Sequence, residues 1–167
     1  MNSNLLFDFI VDKENNTIHI RREFDAGIEL VWQAWTTAEL LDQWWGPKPW
    51  RAETKTMDFR EGGFWLYAMV GPEGERHWSK ASYITIVKEK SFTQTDGFCD
   101  ENGTMNPEFP QNLLENSFSQ QGNKVQVDML LTFDTLADLE TIITTGFKEG
   151  MTTDFHQLDE LLLTLKK

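Results

Sequence analysis

The stretch FKEGMTTDFHQLDELLLTL, residues 147–165, sets Phe147, Met151, Phe155, Leu158, Leu162 and Leu165 at successive steps of four, four, three, four and three. Steps of three and four keep side chains on one helical face, so the spacing predicts an amphipathic helix of about five turns. Such a stripe needs an apolar surface to lie against, and the preceding sequence supplies the candidates. TLADLETIITTG, residues 135–146, reads as a shorter helix with Thr135 as its N-cap and Gly146 as its C-terminal break.

Upstream, strand-like runs bounded by turn residues cover 50–60, 63–71, 76–87, 90–98, 112–120 and 123–133. Gly62 and Gly63 in REGGFW suit a tight hairpin, because glycine tolerates positive φ, and GPEGE and QQGNK mark two further turns. Strands at this spacing, joined by turns rather than helices, predict an antiparallel meander. Both alternate sets of FWLYAMV, residues 64–70, are apolar, so that strand is expected to be covered on both faces. TIHIRREF, residues 17–24, alternates Ile18, Ile20 and Arg22 against His19 and Arg21 and reads as a strand, with His19 a solvated edge residue. From Gly27 to Trp45 the apolar spacing changes to three and four, which predicts two short helices, the second capped by Thr36 or Thr37 and closed by Gly46 and Pro47.

The expected architecture is α+β: a curved antiparallel sheet of about six or seven strands wrapped around a long C-terminal helix, with two short helices after the first strand. A sheet curling around a helix buries the helix's stripe and leaves a space whose size depends on side-chain bulk. With 167 residues and no repeat, low-complexity linker or charged tail, the chain reads as a single domain over 1–167, residues 1–16 being a peripheral extension.

Composition narrows the partners. A net charge of -12 opposes nucleic acid and anionic lipid surfaces. No run approaches the roughly 20 apolar residues of a membrane span, and the N-terminal stretch lacks a basic region and a small-residue cleavage site. The one cysteine, Cys99, cannot form an internal disulfide, and its acidic surroundings in DGFCDENG should raise its pKa. These features point to the cytoplasm. Paired cysteines, HExxH, GxSxG and a glycine-rich phosphate cradle are all missing, and DGFCDENG departs from the calcium-loop pattern, so neither a metal nor another cofactor is expected.

FDAGIELVWQAWTTAELLDQWWGP, DFREGG, GFCDENG and TTGFKEGMTTDFHQLDELL, taken with the order of elements, resemble the heat-shock-protein-90 ATPase activator family of the START-like, helix-grip superfamily. The resemblance spans residues 17–165 and implies a cavity between a curved sheet and the C-terminal helix. Similar proteins include lipid and hormone binders, aromatic polyketide cyclases and co-chaperone domains. In DFREGG, residues Asp58, Arg60 and Glu61 read as turn residues rather than catalytic ones.

The candidate lining of such a cavity is Trp65, Tyr67, Met69, His77, Trp78, Tyr83, Phe118, Met129, Leu131 and Phe133 from the strands, with Met151, Phe155 and Leu158 from the helix. Plain core packing accounts for the same residues. DQWWGPKPW, residues 42–50, reads as an aromatic wedge anchoring the helix pair, and one of its three tryptophans is a candidate wall of the cavity mouth. His156 sits with Asp159 and Glu160 on an exposed helical face.

Three functions remain. The first is non-catalytic binding or carriage of a small apolar or aromatic molecule. The second is an enzyme acting on such a molecule, with His77, Tyr67, Tyr83 or Asp58 moving protons. The third is a co-chaperone-like module that docks on a protein partner. The oligomeric expectation is a monomer or, given an exposed aromatic patch, a homodimer.

Overall fold

In the computed structural model, which describes residues 5–166, the expected strand-forming runs pair into one antiparallel sheet. The elements are β1 (Phe7–Asp12), β2 (Thr17–Phe24), α1 (Ile28–Thr36), α2 (Ala38–Trp44), β3 (Arg51–Met57), β4 (Phe64–Val70), β5 (Arg76–Val87), β6 (Ser91–Cys99), β7 (Asn112–Gln121), β8 (Lys124–Phe133), α3 (Leu136–Thr144) and α4 (Phe147–Leu165). The sheet runs β1-β2-β8-β7-β6-β5-β4-β3, so β3 to β8 form the meander and β2 closes onto its last strand. Register shifts between Thr54 and Thr56 and between Tyr83 and Thr85 mark bulges, which bend and twist the strands that carry them.

The sheet has eight strands where six or seven were expected. The additional strand, β1, lies in the stretch read as a peripheral extension, of which residues 1–4 fall outside the described residues. It pairs with β2 from Phe7↔Arg22 to Asp12↔Thr17 and turns Phe7 and Phe9 toward α4. β2 is therefore an inner strand, and His19 is no edge residue: it faces outward 3.4 Å from Asp128 of β8.

α4 lies on the inner face of the sheet, with Met151, Phe155, Leu158 and Leu162 buried as the stripe predicts. Phe155 meets Phe24 and Phe7 edge-on, at centroid distances of 5.6 and 5.7 Å. Ile18, Ile20, Val125 and Val127 are almost wholly buried, so the β2–β8 half of the core is filled. Arg22, on the same inward face, is buried with its guanidinium forked onto Asp159 of α4 at 2.6 and 3.0 Å and laid over the Phe24 ring. A planar, always charged fork suits this site, because it satisfies both carboxylate oxygens and stacks on an aromatic face.

The tryptophan-rich corner behaves as an anchor. Trp44 is fully buried, donates its indole N–H to Ala34 O at 2.9 Å and packs 4.7 Å from Trp35. Gly46 follows at φ +108°, and an added Cβ would stand 2.7 Å from Met69 Sδ and 2.9 Å from Ala52 N. Glycine is required there both by backbone conformation and by space. α4 is tied to this corner: the Gln157 amide donates to Trp44 O and Gly46 O, its oxygen accepts from Lys48 N–H, and Asp154 accepts from Gly46 N–H.

Thr135 caps α3 by accepting from Asp138 N–H. Thr37 stands at the N-cap of α2, yet its hydroxyl donates back to Gln33 O, so that helix start has no side-chain cap. Leu66 and Ala68, on the outer face of β4, are buried; Gly103 of the loop after β6 lies beside Leu66, and Lys55 and Lys80 donate to carbonyls of Glu101 and Gly103.

Candidate ligand cavity

The inward side chains of β4 to β7, with Met129 and Leu131 of β8, do not meet α4 as Arg22 and Phe24 of β2 do. Between them and the α3–α4 corner lies a partly open cavity of about 720 Å³. That volume falls within the 300–1,000 Å³ typical of small-molecule sites. Strand pairing explains its layout, since residues directly opposite one another share a face. One row across the floor is Trp65, Ala81, Asp96 and Asn112; the next toward the closed end is Tyr83, Gln94, Leu114 and Leu131; beyond that come Phe92, Asn116 and Met129. Toward the mouth stand Tyr67, Ser79 and Phe98, then Met69 and His77.

The walls are aromatic, but the floor carries a polar diagonal. Tyr67 stacks on Trp65 at 4.0 Å and accepts a hydrogen bond from Trp45 Nε1 at 3.0 Å. Burial pushes the Tyr67 and Tyr83 hydroxyls far above ordinary tyrosine, so neither ionises near neutrality. Asp96 accepts from the Gln94 amide at 2.5 Å, and burial raises its carboxyl to about 7 despite the opposing amides of Gln94 and Asn112. Asp154, 4% exposed, reaches the cavity from α4; burial raises it to about 8 against the Gly46 N–H bond. Asn116 is 1% exposed, and neither its amide nitrogen nor its oxygen has a partner.

Eight of the thirteen candidate lining residues meet in this cavity: Trp65, Tyr67, Met69, His77, Tyr83, Met129, Leu131 and Met151. His77 is exposed at the mouth, its ring 5.5 Å from that of Trp50. Five lie elsewhere. Trp78 is on the alternate, outer face of β5, with the Lys55 ammonium 5.7 Å from its ring. Phe118 is locked among Trp32, Trp35 and Phe92. Phe133 is buried in the filled core, and Phe155 is occupied with Phe7 and Phe24; Leu158 is likewise in the core. Of the three tryptophans in DQWWGPKPW, Trp45 and Trp50 line the cavity and Trp44 does not. Asp58 accepts from Arg60 Nε in the β3–β4 turn, and Glu61 accepts from Ile86 N–H, so the DFREGG residues serve the hairpin. His156 is exposed on α4.

The polar floor, Gln94, Asp96, Asn112 and Asn116, was absent from the sequence candidates. In TQTDGF and NLLEN these residues sit at alternate positions, and period two alone leaves the inward set unassigned. The register with Leu114 and Leu131 is what assigns it.

A sheet gripping a C-terminal helix over an internal cavity defines the START-like, helix-grip class. The chain belongs, within it, to the family described as activator of Hsp90 ATPase homolog 1-like protein, whose model matches residues 25–163. Among solved structures, a protein from Arthrobacter aurescens is 29% identical, with 94% of this chain and 91% of that one aligned and a TM-score of 0.88. A protein from Mycobacterium smegmatis is 27% identical over 95% and 96% of the two chains, with a TM-score of 0.86. A third, from Staphylococcus epidermidis, is 26% identical over 92% and 93%, with a TM-score of 0.82. No curated protein matches the sequence. Among the described residues, no helix is long and apolar enough to cross a membrane.

Proposed function

We propose that this protein binds or carries a small, largely aromatic molecule in the cavity between β4–β7 and α4, without transforming it. The observation that carries this reading is the 720 Å³ space itself, walled by Trp45, Trp65, Tyr67, Tyr83 and Phe92. Side chains of that size normally fill a core to crystal-like density, and a void of this volume forfeits their dispersion contacts unless something occupies it.

Native and denaturing mass spectra of protein purified from a cell extract test the reading. A discrete additional mass, lost on denaturation, is expected; bare chain across repeated preparations overturns tight carriage of an abundant ligand.

A second reading, an enzyme acting on the same molecule, draws support from Asp96. A carboxyl titrating near 7 in an apolar cavity is matched to proton transfer at neutral pH. Turnover of a bound molecule that disappears in Asp96→Asn would favour it over carriage. Docking on a protein partner rests on the family description alone.

A further inference from the structure

Asn116 sits at the closed end of the cavity, between Phe92 of β6 and Met129 of β8. A buried amide normally finds partners for its N–H and its oxygen, because neither regains in an apolar core what it loses in leaving water. Here both polar atoms are orphaned although Leu, of nearly the same shape, would be at home among these neighbours. The amide lies four residues along β7 from Asn112, hence about 13 Å from the row that holds Asp96, at the rise of an extended strand. The cavity is therefore polar at its far end and acidic at its middle.

The charges on the wall are one-sided. Asp96 and Asp154 face the cavity, and neither lies in an ion pair among the described residues. Lys80 is the one lysine or arginine among the lining residues, and its ammonium is directed to Gly103 O at 3.4 Å and lies 5.2 Å from the Phe64 ring. An anionic ligand would enter with no counter-charge and meet two carboxyl groups.

We infer that the cavity selects an uncharged, mainly aromatic molecule ending in a neutral group that both donates and accepts a hydrogen bond, such as a carboxamide or lactam, and that Asn116 reads that group. Asn116 is then the specificity-determining residue of the site, and Asp96 the one that rejects anions. The inference rests on the cavity being a binding site.

Calorimetric titration at pH 8 with three probes sharing one ring system tests it: 2-naphthamide, its apolar shape-mate 2-isopropylnaphthalene, and the anion 2-naphthoate. Naphthamide is expected to bind about tenfold tighter than the isopropyl compound, which is the worth of a good net hydrogen bond, and naphthoate at least tenfold weaker than naphthamide. Asn116→Leu should abolish the first difference and raise the thermal midpoint of the free protein, since it removes an unsatisfied buried group. If leucine is not accommodated, Asn116→Ala reads the same difference. Asp96→Asn should strengthen naphthoate about tenfold relative to naphthamide. An amide preference that survives at residue 116 without the amide overturns the role of Asn116. If isopropylnaphthalene binds as well as naphthamide, or naphthoate best of all, the inference falls while the cavity reading stands; if none of the three binds, the cavity reading falls and takes the inference with it.

Discussion

The two halves of the sheet are built from the same alternating strands and end up in opposite conditions. On β2 and β8 the inward residues Ile18, Ile20, Val125 and Val127 are almost wholly buried, in a core that also holds Phe24, Trp35 and Phe155. On β4 to β7 most inward residues, joined by Met129 and Leu131 of β8, border an open space that Met151 and Asp154 of α4 also line. Alternation determines which face of a strand turns inward. Whether that interior is filled depends on what stands opposite, and here the aromatic side chains that could fill it are engaged elsewhere: Phe118 with Trp32 and Trp35, Phe155 with Phe7 and Phe24.

That contrast puts the largest stability cost on truncation in the filled half. Phe155→Ala is expected to lose about 3–5 kcal/mol in denaturant unfolding, the sum of lost transfer energy and a cavity that its ring neighbours cannot close. A loss below about 1 kcal/mol would mean the β2–β8 core is as loose as the other.

A smaller effect sharpens the boundary between the halves. Asp154 has its carboxyl raised to about 8 from 3.8 by burial, so the folded state binds its proton more tightly than the unfolded chain does. The stability it allows is fully present below about pH 4 and drains away as pH rises through 8, with Asp96 acting in the same direction. Asp154→Asn should therefore unfold less readily than the parent at pH 9, by on the order of 2 kcal/mol, and match it at pH 4. Parallel stability profiles for the two proteins across that range would show that Asp154 is solvated.

The smallest expected change in stability comes from filling the space. Leu114→Phe adds a ring facing the cavity and should shift stability by under about 1 kcal/mol while abolishing any co-purified ligand mass. Val127→Phe adds similar bulk beneath the filled half and should cost more, since neighbours there must move. Equal costs at the two positions would erase the distinction between the halves.

Much of the fold was legible because its signals are local. The step pattern of residues 147–165, the glycines at 62, 74 and 122 with their positive φ, and the alternation of TIHIRREF each determine an element without reference to the rest. β1 carried only part of such a signal: Phe7, Phe9 and Val11 alternate with Asp8, Ile10 and Asp12, where the apolar Ile10 blurs the pattern, and six residues before a turn say little until β2 is there to pair with them. The site was less legible because it depends on which strand lies beside which. Trp78 shares the apolar character of Trp65 and points the other way, being one residue off the inward set of His77, Ser79 and Tyr83. Asn116 carries a surface-type side chain, and only the register that places it between Phe92 and Met129 reveals it as interior.

The stitching of α4 to residues 44–48 has a mechanical consequence. Gln157 and Asp154 between them engage Trp44, Gly46 and Lys48 through four hydrogen bonds, so this part of the cavity's frame is a truss rather than a hinge. Compliance has to come from the opposite side, where the chain from 100 to 111 is bonded mostly to itself, through turns at Asp100 and Asn106, and its Phe109 lies half in solvent against Phe98. A guest that enters would therefore be accommodated by one yielding wall and one stiff one, and the stiff one holds Trp45 in fixed orientation over the Tyr67 hydroxyl.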